Sequence, residues 1–152
     1  MVFDPRFGFR GRRFATFVIL VVMLSAAVAL RMEAQTQSGT TMAGIYTTAQ
    51  ADRGEETYMG ICVACHPAGT YNTDAFKATW AGRPLADLFS LISTTMPKSD
   101  PASLSPEEYS QLVAYILKIN NVPPGKTDLP ADAGKLKAIK IAMPAPNARK
   151  KK

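Results

Sequence analysis

Apolar side chains are unevenly distributed along this chain, and their spacing predicts helices divided by breakers rather than alternating strands. A run without ionisable side chains, Phe14–Leu30, comes first. The stretch Gln35–Gln50 follows, with neither charge nor helical period and rich in Thr, Gln, Ser and Gly. Beyond Ala51 the pattern becomes helical. A first helix is predicted from Asp52, as N-cap, to Cys65; Glu55 and Glu56 lie in its first turn, where the helix dipole favours acids, and Gly54 and Tyr58 share a face. Pro84 opens a second, which carries Leu85, Leu88, Phe89, Leu91 and Ile92. The third begins at Ser105-Pro106-Glu107-Glu108, which combines an N-cap, a proline and two acids. It carries Tyr109, Leu112, Val113, Tyr115, Ile116 and Leu117, and stops before the breaker Asn120-Asn121-Val122-Pro123-Pro124-Gly125. An all-α domain with one modest core is expected over residues 51–124, after a flexible linker at 35–50 and before an extension at 125–152.

Charge separates the ends from the middle. The 152 residues carry 18 Lys and Arg against 12 Asp and Glu, a formal +6. Residues 35–134, however, hold six basic and ten acidic side chains, a net of −4, while 135–152 hold seven basic residues and no acid. Nucleic-acid binding fits poorly with an acidic folded part. Residues 1–34 place Arg6, Arg10, Arg12 and Arg13 ahead of the apolar run, the order of an export signal. The run is long for a secretory signal and short for a membrane span. Two readings therefore stay open: a signal cleaved after Ala29 (Ala27-Val28-Ala29) or after Ala34 (Met32-Glu33-Ala34), and an uncleaved anchor helix through residues 14–30. The basic tail either steers the domain towards an anionic partner or membrane surface or is a solvated end. Leu136, Ile139 and Met143 recur at helical spacing and predict a short helix over Ala133–Met143.

The chemistry is concentrated in Cys62-Val63-Ala64-Cys65-His66, the spacing of a c-type haem attachment site. Cysteines three apart on a helix present both sulfurs to one edge of a porphyrin, where each can form a thioether with a vinyl group. The histidine that follows is then held beneath the iron as a ligand. Three other uses of these cysteines compete. A disulfide would close a very short loop on a helical backbone, where it constrains little. A redox dithiol leaves His66 without a role, and a zinc site lacks two ligands.

From the Gly54-to-Tyr58 spacing through CVACH to Met96-Pro97 and the final helix with Ala114-Tyr115, the chain resembles the class I c-type cytochromes, over roughly residues 51–124. The resemblance implies a cytochrome c-like fold: three main helices around one covalently attached haem c, with Gly54, Tyr58 and Tyr115 at the crossing of the first and last helices. Trp80-Ala81-Gly82-Arg83-Pro84-Leu85, Leu104-Ser105-Pro106-Glu107-Glu108-Tyr109 and Leu129-Pro130-Ala131-Asp132 are similar to the small cytochromes associated with quinoprotein alcohol and sugar dehydrogenases. By that likeness Trp80 and Arg83 are candidates to hydrogen-bond haem propionates, Trp80 being equally an ordinary core aromatic. The Gly-Pro pair that follows the haem histidine in mitochondrial-type members is missing here.

Met96 is the expected second iron ligand. Of the seven methionines, Met1, Met23 and Met32 lie in or beside the export segment and Met42 in the expected linker, while Met59 sits on the attachment helix. Met143, also followed by proline, lies in the basic tail; Met96 lies in the loop that resembling proteins pass over the far haem face. A soft thioether favours reduced iron and raises the potential. The haem-binding set is thus Cys62, Cys65, His66 and Met96, with the iron on His66 and Met96. The expected function is one-electron transfer in the periplasm, not turnover of an organic substrate. The expected donor is a dehydrogenase, of the quinoprotein kind by resemblance, and the acceptor another cytochrome or a terminal oxidase. A fixed haem subunit of a dehydrogenase complex and a gas- or peroxide-reactive haem protein are the alternatives.

Overall fold

The structure, a computed structural model, describes residues 39–67 and 69–144. The expected export segment and the terminal cluster Arg149–Lys152 lie outside these residues. Among the described residues the architecture is all-α, with no strand longer than an isolated bridge. None of these helices is long and apolar enough to cross a membrane.

The described residues form five α-helices: α1 (Thr48–Thr57), α2 (Asp74–Trp80), α3 (Leu85–Thr95), α4 (Pro106–Ile119) and the single turn α5 (Ala133–Leu136). Helix α1 starts four residues before the predicted Asp52, because Thr47 caps it by accepting from the Gln50 amide. It also ends early as an α-helix. From Tyr58 to Cys62 the chain continues as a π-helical turn, in which the Val63 amide reaches back five residues to the Tyr58 carbonyl at 3.0 Å. Such wide turns recur at functional positions in helices. Helix α2, capped by the Thr73 hydroxyl, is an addition to the three helices read from periodicity. Helices α3 and α4 stand where the sequence puts them, and α4 opens with a full capping box between Ser105 and Glu108.

The main scaffold is the crossing of α1 and α4, which makes the largest helix–helix contact. Gly54 allows it: a Cβ there would stand 1.9 Å from the Gln111 carbonyl oxygen, so no other residue fits without moving the helices apart. Tyr58 and Tyr115 fill the same contact with ring centroids 5.1 Å apart. Lys118 at the far end of α4 pairs with Asp52 at 2.7 Å and Glu55 at 2.8 Å, an exposed bridge of small energetic weight.

Both expected domain boundaries move outward. Residues 39–50 are folded rather than a linker: Thr41, Tyr46 and Gln50 are buried, and each spends its polar atoms on backbone far along the chain. The Tyr46 hydroxyl donates to the Val122 carbonyl at 2.6 Å. The Gln50 carboxamide both accepts from the Leu129 amide at 2.7 Å and donates to the Leu129 carbonyl at 2.9 Å, as a neighbouring strand would. The region beyond 124 is equally integrated, with Leu129, Leu136 and Ile141 buried. The helix predicted over Ala133–Met143 lasts only the turn of α5, capped by Asp132. The chain then runs between two segments, with the Lys140 amide donating to Gly39 at 2.7 Å, and Ile141 exchanging backbone bonds of 2.8 Å with Gly82 and Arg83. A polar, uncharged segment reads as a linker because its burial is driven by these long-range bonds and not by apolar periodicity.

Candidate functional site

One cavity brings together all four residues of the expected haem set. Cys62, Cys65, His66 and Met96 line it, with Ile61, Ile92, Leu104, Leu112 and Ile116 as apolar walls and Tyr58, Tyr71 and Tyr109 among them. Its free volume is about 170 Å³, and it opens to solvent on one side.

The attachment segment is fixed locally. After the π-helical turn the chain keeps helical hydrogen bonding, with the His66 amide donating to the Cys62 carbonyl at 2.9 Å and that of Cys65 to the same oxygen at 3.2 Å. The two cysteines and the histidine therefore reach the cavity from consecutive turns. The Tyr58 hydroxyl donates to the His66 carbonyl and lies 3.3 Å from that of Pro67. The Tyr71 ring packs on the His66 ring, centroids 5.5 Å apart. Burial, reinforced by Tyr58, pushes the Tyr71 hydroxyl up to about 12, so it is neutral at physiological pH.

The loop bearing Met96 is fixed from a distance. The Met96 amide closes α3 on the Ile92 carbonyl at 3.0 Å. Its own carbonyl accepts from the Tyr109 hydroxyl at 2.6 Å, and that hydroxyl in turn accepts from the Leu104 amide at 3.3 Å. Tyr109 thus pins both ends of the loop between α3 and α4. Its place in an apolar stripe concealed this role. Met59 is exposed and Met143 packs against the core; neither lines the cavity.

The rival uses of the cysteines find little support. Neither thiol is in a disulfide. Burial pushes the Cys62 thiol up, the opposite of the depressed thiol of a Cys-x-x-Cys oxidoreductase. Among the described residues no group of three or more His, Cys, Asp or Glu side chains is placed to hold a metal such as zinc. Two thiols, an imidazole and a thioether around an apolar cleft are the donor set a covalently bound haem requires.

Residues 49–116, somewhat under half of the chain, match the family model described as Cytochrome C oxidase, cbb3-type, subunit III. Over these matched residues the fold is that of a cytochrome c domain. Its cofactor is covalently bound haem c with its iron, and the chain is a haem electron-transfer protein, not an enzyme. Neither a curated protein nor a solved structure matches the chain. The likeness to quinoprotein-associated cytochromes is therefore carried by short sequence signatures alone.

Trp80 and Arg83 pack against each other. Trp80 is buried, with its ring centroid 6.2 Å from that of Phe76, and the Arg83 guanidinium lies 4.5 Å above it. Arg83 also pairs with Asp87 at 3.2 Å. Neither residue lines the cavity.

Proposed function

We propose that this protein is an exported monohaem carrier of single electrons, working in the periplasm between a dehydrogenase and a downstream cytochrome or terminal oxidase. The convergence of Cys62, Cys65, His66 and Met96 on one cavity carries the reading. Cys62 and Cys65 would hold the haem through thioethers, and His66 and Met96 would ligate its iron. When bound, the haem supplies a one-electron couple between ferric and ferrous iron.

The chain's own residues restrict what else can happen there. With His66 and Met96 both committed to the iron, no position is left for an organic substrate or a gas. The apolar walls keep water from the ligands, and Tyr58 and Tyr109 hold the backbone of the two ligand-bearing segments, so little need move when charge changes. A small structural change is the condition for fast one-electron exchange. The arginine-led apolar run at residues 14–30 supports export, with the chain either released after cleavage or anchored at the membrane. A quinoprotein donor rests on the signatures around Trp80 and Leu104.

Exposure of the reduced protein to carbon monoxide tests the carrier reading. A spectrum that stays unchanged, with rapid oxidation by a cytochrome acceptor, is expected. Fast carbon monoxide binding by the wild-type protein would instead favour the gas-reactive alternative. Co-purification with a dehydrogenase at fixed stoichiometry would favour the fixed-subunit alternative.

A further inference from the structure

We propose that Asn120 is a positioning residue for His66, acting through Tyr71. Asn120 caps α4 and is fully buried, yet it stands in a breaker where the sequence suggests only a helix end. Its carboxamide nitrogen donates two hydrogen bonds: one to the Ile116 carbonyl at 2.8 Å within its own helix, the other to the Tyr71 carbonyl at 2.7 Å, 49 residues away. The second bond ties the loop that follows the haem motif to the end of α4. Tyr71, the residue so tied, presents its ring to the His66 ring at 5.5 Å with a 40° tilt. The far sides of that ring are packed by Tyr58 at 6.2 Å and Phe76 at 5.6 Å, so its position is set by the loop and by two neighbours together.

The other half of the Asn120 side chain makes the role specific. Its Oδ1 is buried without a hydrogen-bond partner among the described residues. An amide oxygen left in that state is destabilising, and leucine would fill a similar volume without it. What asparagine supplies and leucine does not is the pair of donors, and only the donor to Tyr71 reaches outside the helix. Tyr58 secures the His66 backbone through its carbonyl. Asn120 and Tyr71 secure its ring. Partners of this outer kind orient a ligating histidine and tune the metal it holds.

The inference rests on His66 as the proximal iron ligand. Four holoproteins test it: wild type, Asn120→Leu, Tyr71→Leu and Tyr71→Phe. The readouts are the ferric electron paramagnetic resonance spectrum and the midpoint potential. Asn120→Leu and Tyr71→Leu should shift the g-values and the potential in the same direction, as loss of an outer partner of a ligating histidine does. Tyr71→Phe keeps the ring and the carbonyl and should match wild type. A purely structural Asn120 would lower the melting temperature and leave both readouts in place, overturning the proposal. So would a Tyr71→Phe variant as disturbed as Tyr71→Leu. Should Asn120→Leu fail to mature, the contrast between the two Tyr71 variants still decides. If the wild-type spectrum lacks a histidine-ligated haem, the site assignment itself has failed, and that outcome is distinct from an undisturbed variant.

Discussion

The two segments that bear the expected iron ligands are built differently. Cys62, Cys65 and His66 sit within five consecutive residues, and their backbone is closed by hydrogen bonds among themselves and to Tyr58, eight positions away at most. Met96 has a local backbone bond only on its N-terminal side, from its amide to the Ile92 carbonyl. Its loop is held by the Tyr109 hydroxyl, thirteen positions along the chain, and by the apolar walls of the cavity. A locally closed segment keeps its geometry when the rest of the fold loosens, whereas a segment held through another helix loses it as soon as that helix moves. The histidine side should therefore persist under stress and the methionine side should yield first.

The strongest perturbation removes the scaffold both segments share. Gly54→Ala drives a Cβ to within 1.9 Å of the Gln111 carbonyl and should cost more than about 4 kcal/mol, so that little folded holoprotein is recovered and both ligands are lost together. Next comes Met96→Ala, which should separate the segments. The sulfur-to-iron absorption in the near infrared should vanish, the potential should fall and carbon monoxide should enter the reduced protein, at a stability loss of about 2 kcal/mol for a half-buried methionine. Met143→Ala should do none of this, and the reverse pattern would mean that the tail supplies the ligand.

Tyr109→Phe is subtler. It deletes the bond to the Met96 carbonyl and leaves the Leu104 amide without its acceptor, a loss of about 1 kcal/mol by thermal unfolding. Exchange at the methionine position should quicken while the histidine signature stays fixed; equal disturbance of both would break the contrast drawn above.

Acid should give the smallest effect on the same side. Glu108 is held below its ordinary value of 4.5 chiefly by the Ser105 amide, with the Ser105 hydroxyl second. A carboxylate depressed in the folded state stabilises above its unfolded value, and that contribution is lost as pH falls below about 4.5. Because Glu108 is only half-buried, the effect is a few tenths of a kcal/mol, about that of a screened surface pair, after solvent screening. Glu108→Gln should remove it, flattening the acid limb of a melting-temperature profile.

This contrast also explains what was legible in the sequence. Cys62, Cys65 and His66 are readable because their chemistry is written in adjacent residues, and Met96 because chain order and ligand softness leave few competitors. Helices α3 and α4 are readable from apolar period and caps. The Tyr109, Tyr71 and Asn120 roles are not, since each consists of a hydrogen bond or ring contact to a residue made near only by folding. The same reason hid the folding of Thr41, Tyr46 and Gln50, whose polar side chains suggested solvent until their backbone partners came into place. Helix α2 carried a cap at Thr73 but too short an apolar pattern to declare itself.

The most direct test is the intact mass of the denatured, mature protein made in a host with working cytochrome c maturation, beside a Cys62→Ala/Cys65→Ala double variant. The wild-type chain should carry the added mass of one haem that survives denaturation and extraction, and the double variant none. A wild-type polypeptide of unmodified mass would contradict the assignment of Cys62 and Cys65, and with it the electron-transfer site built around them.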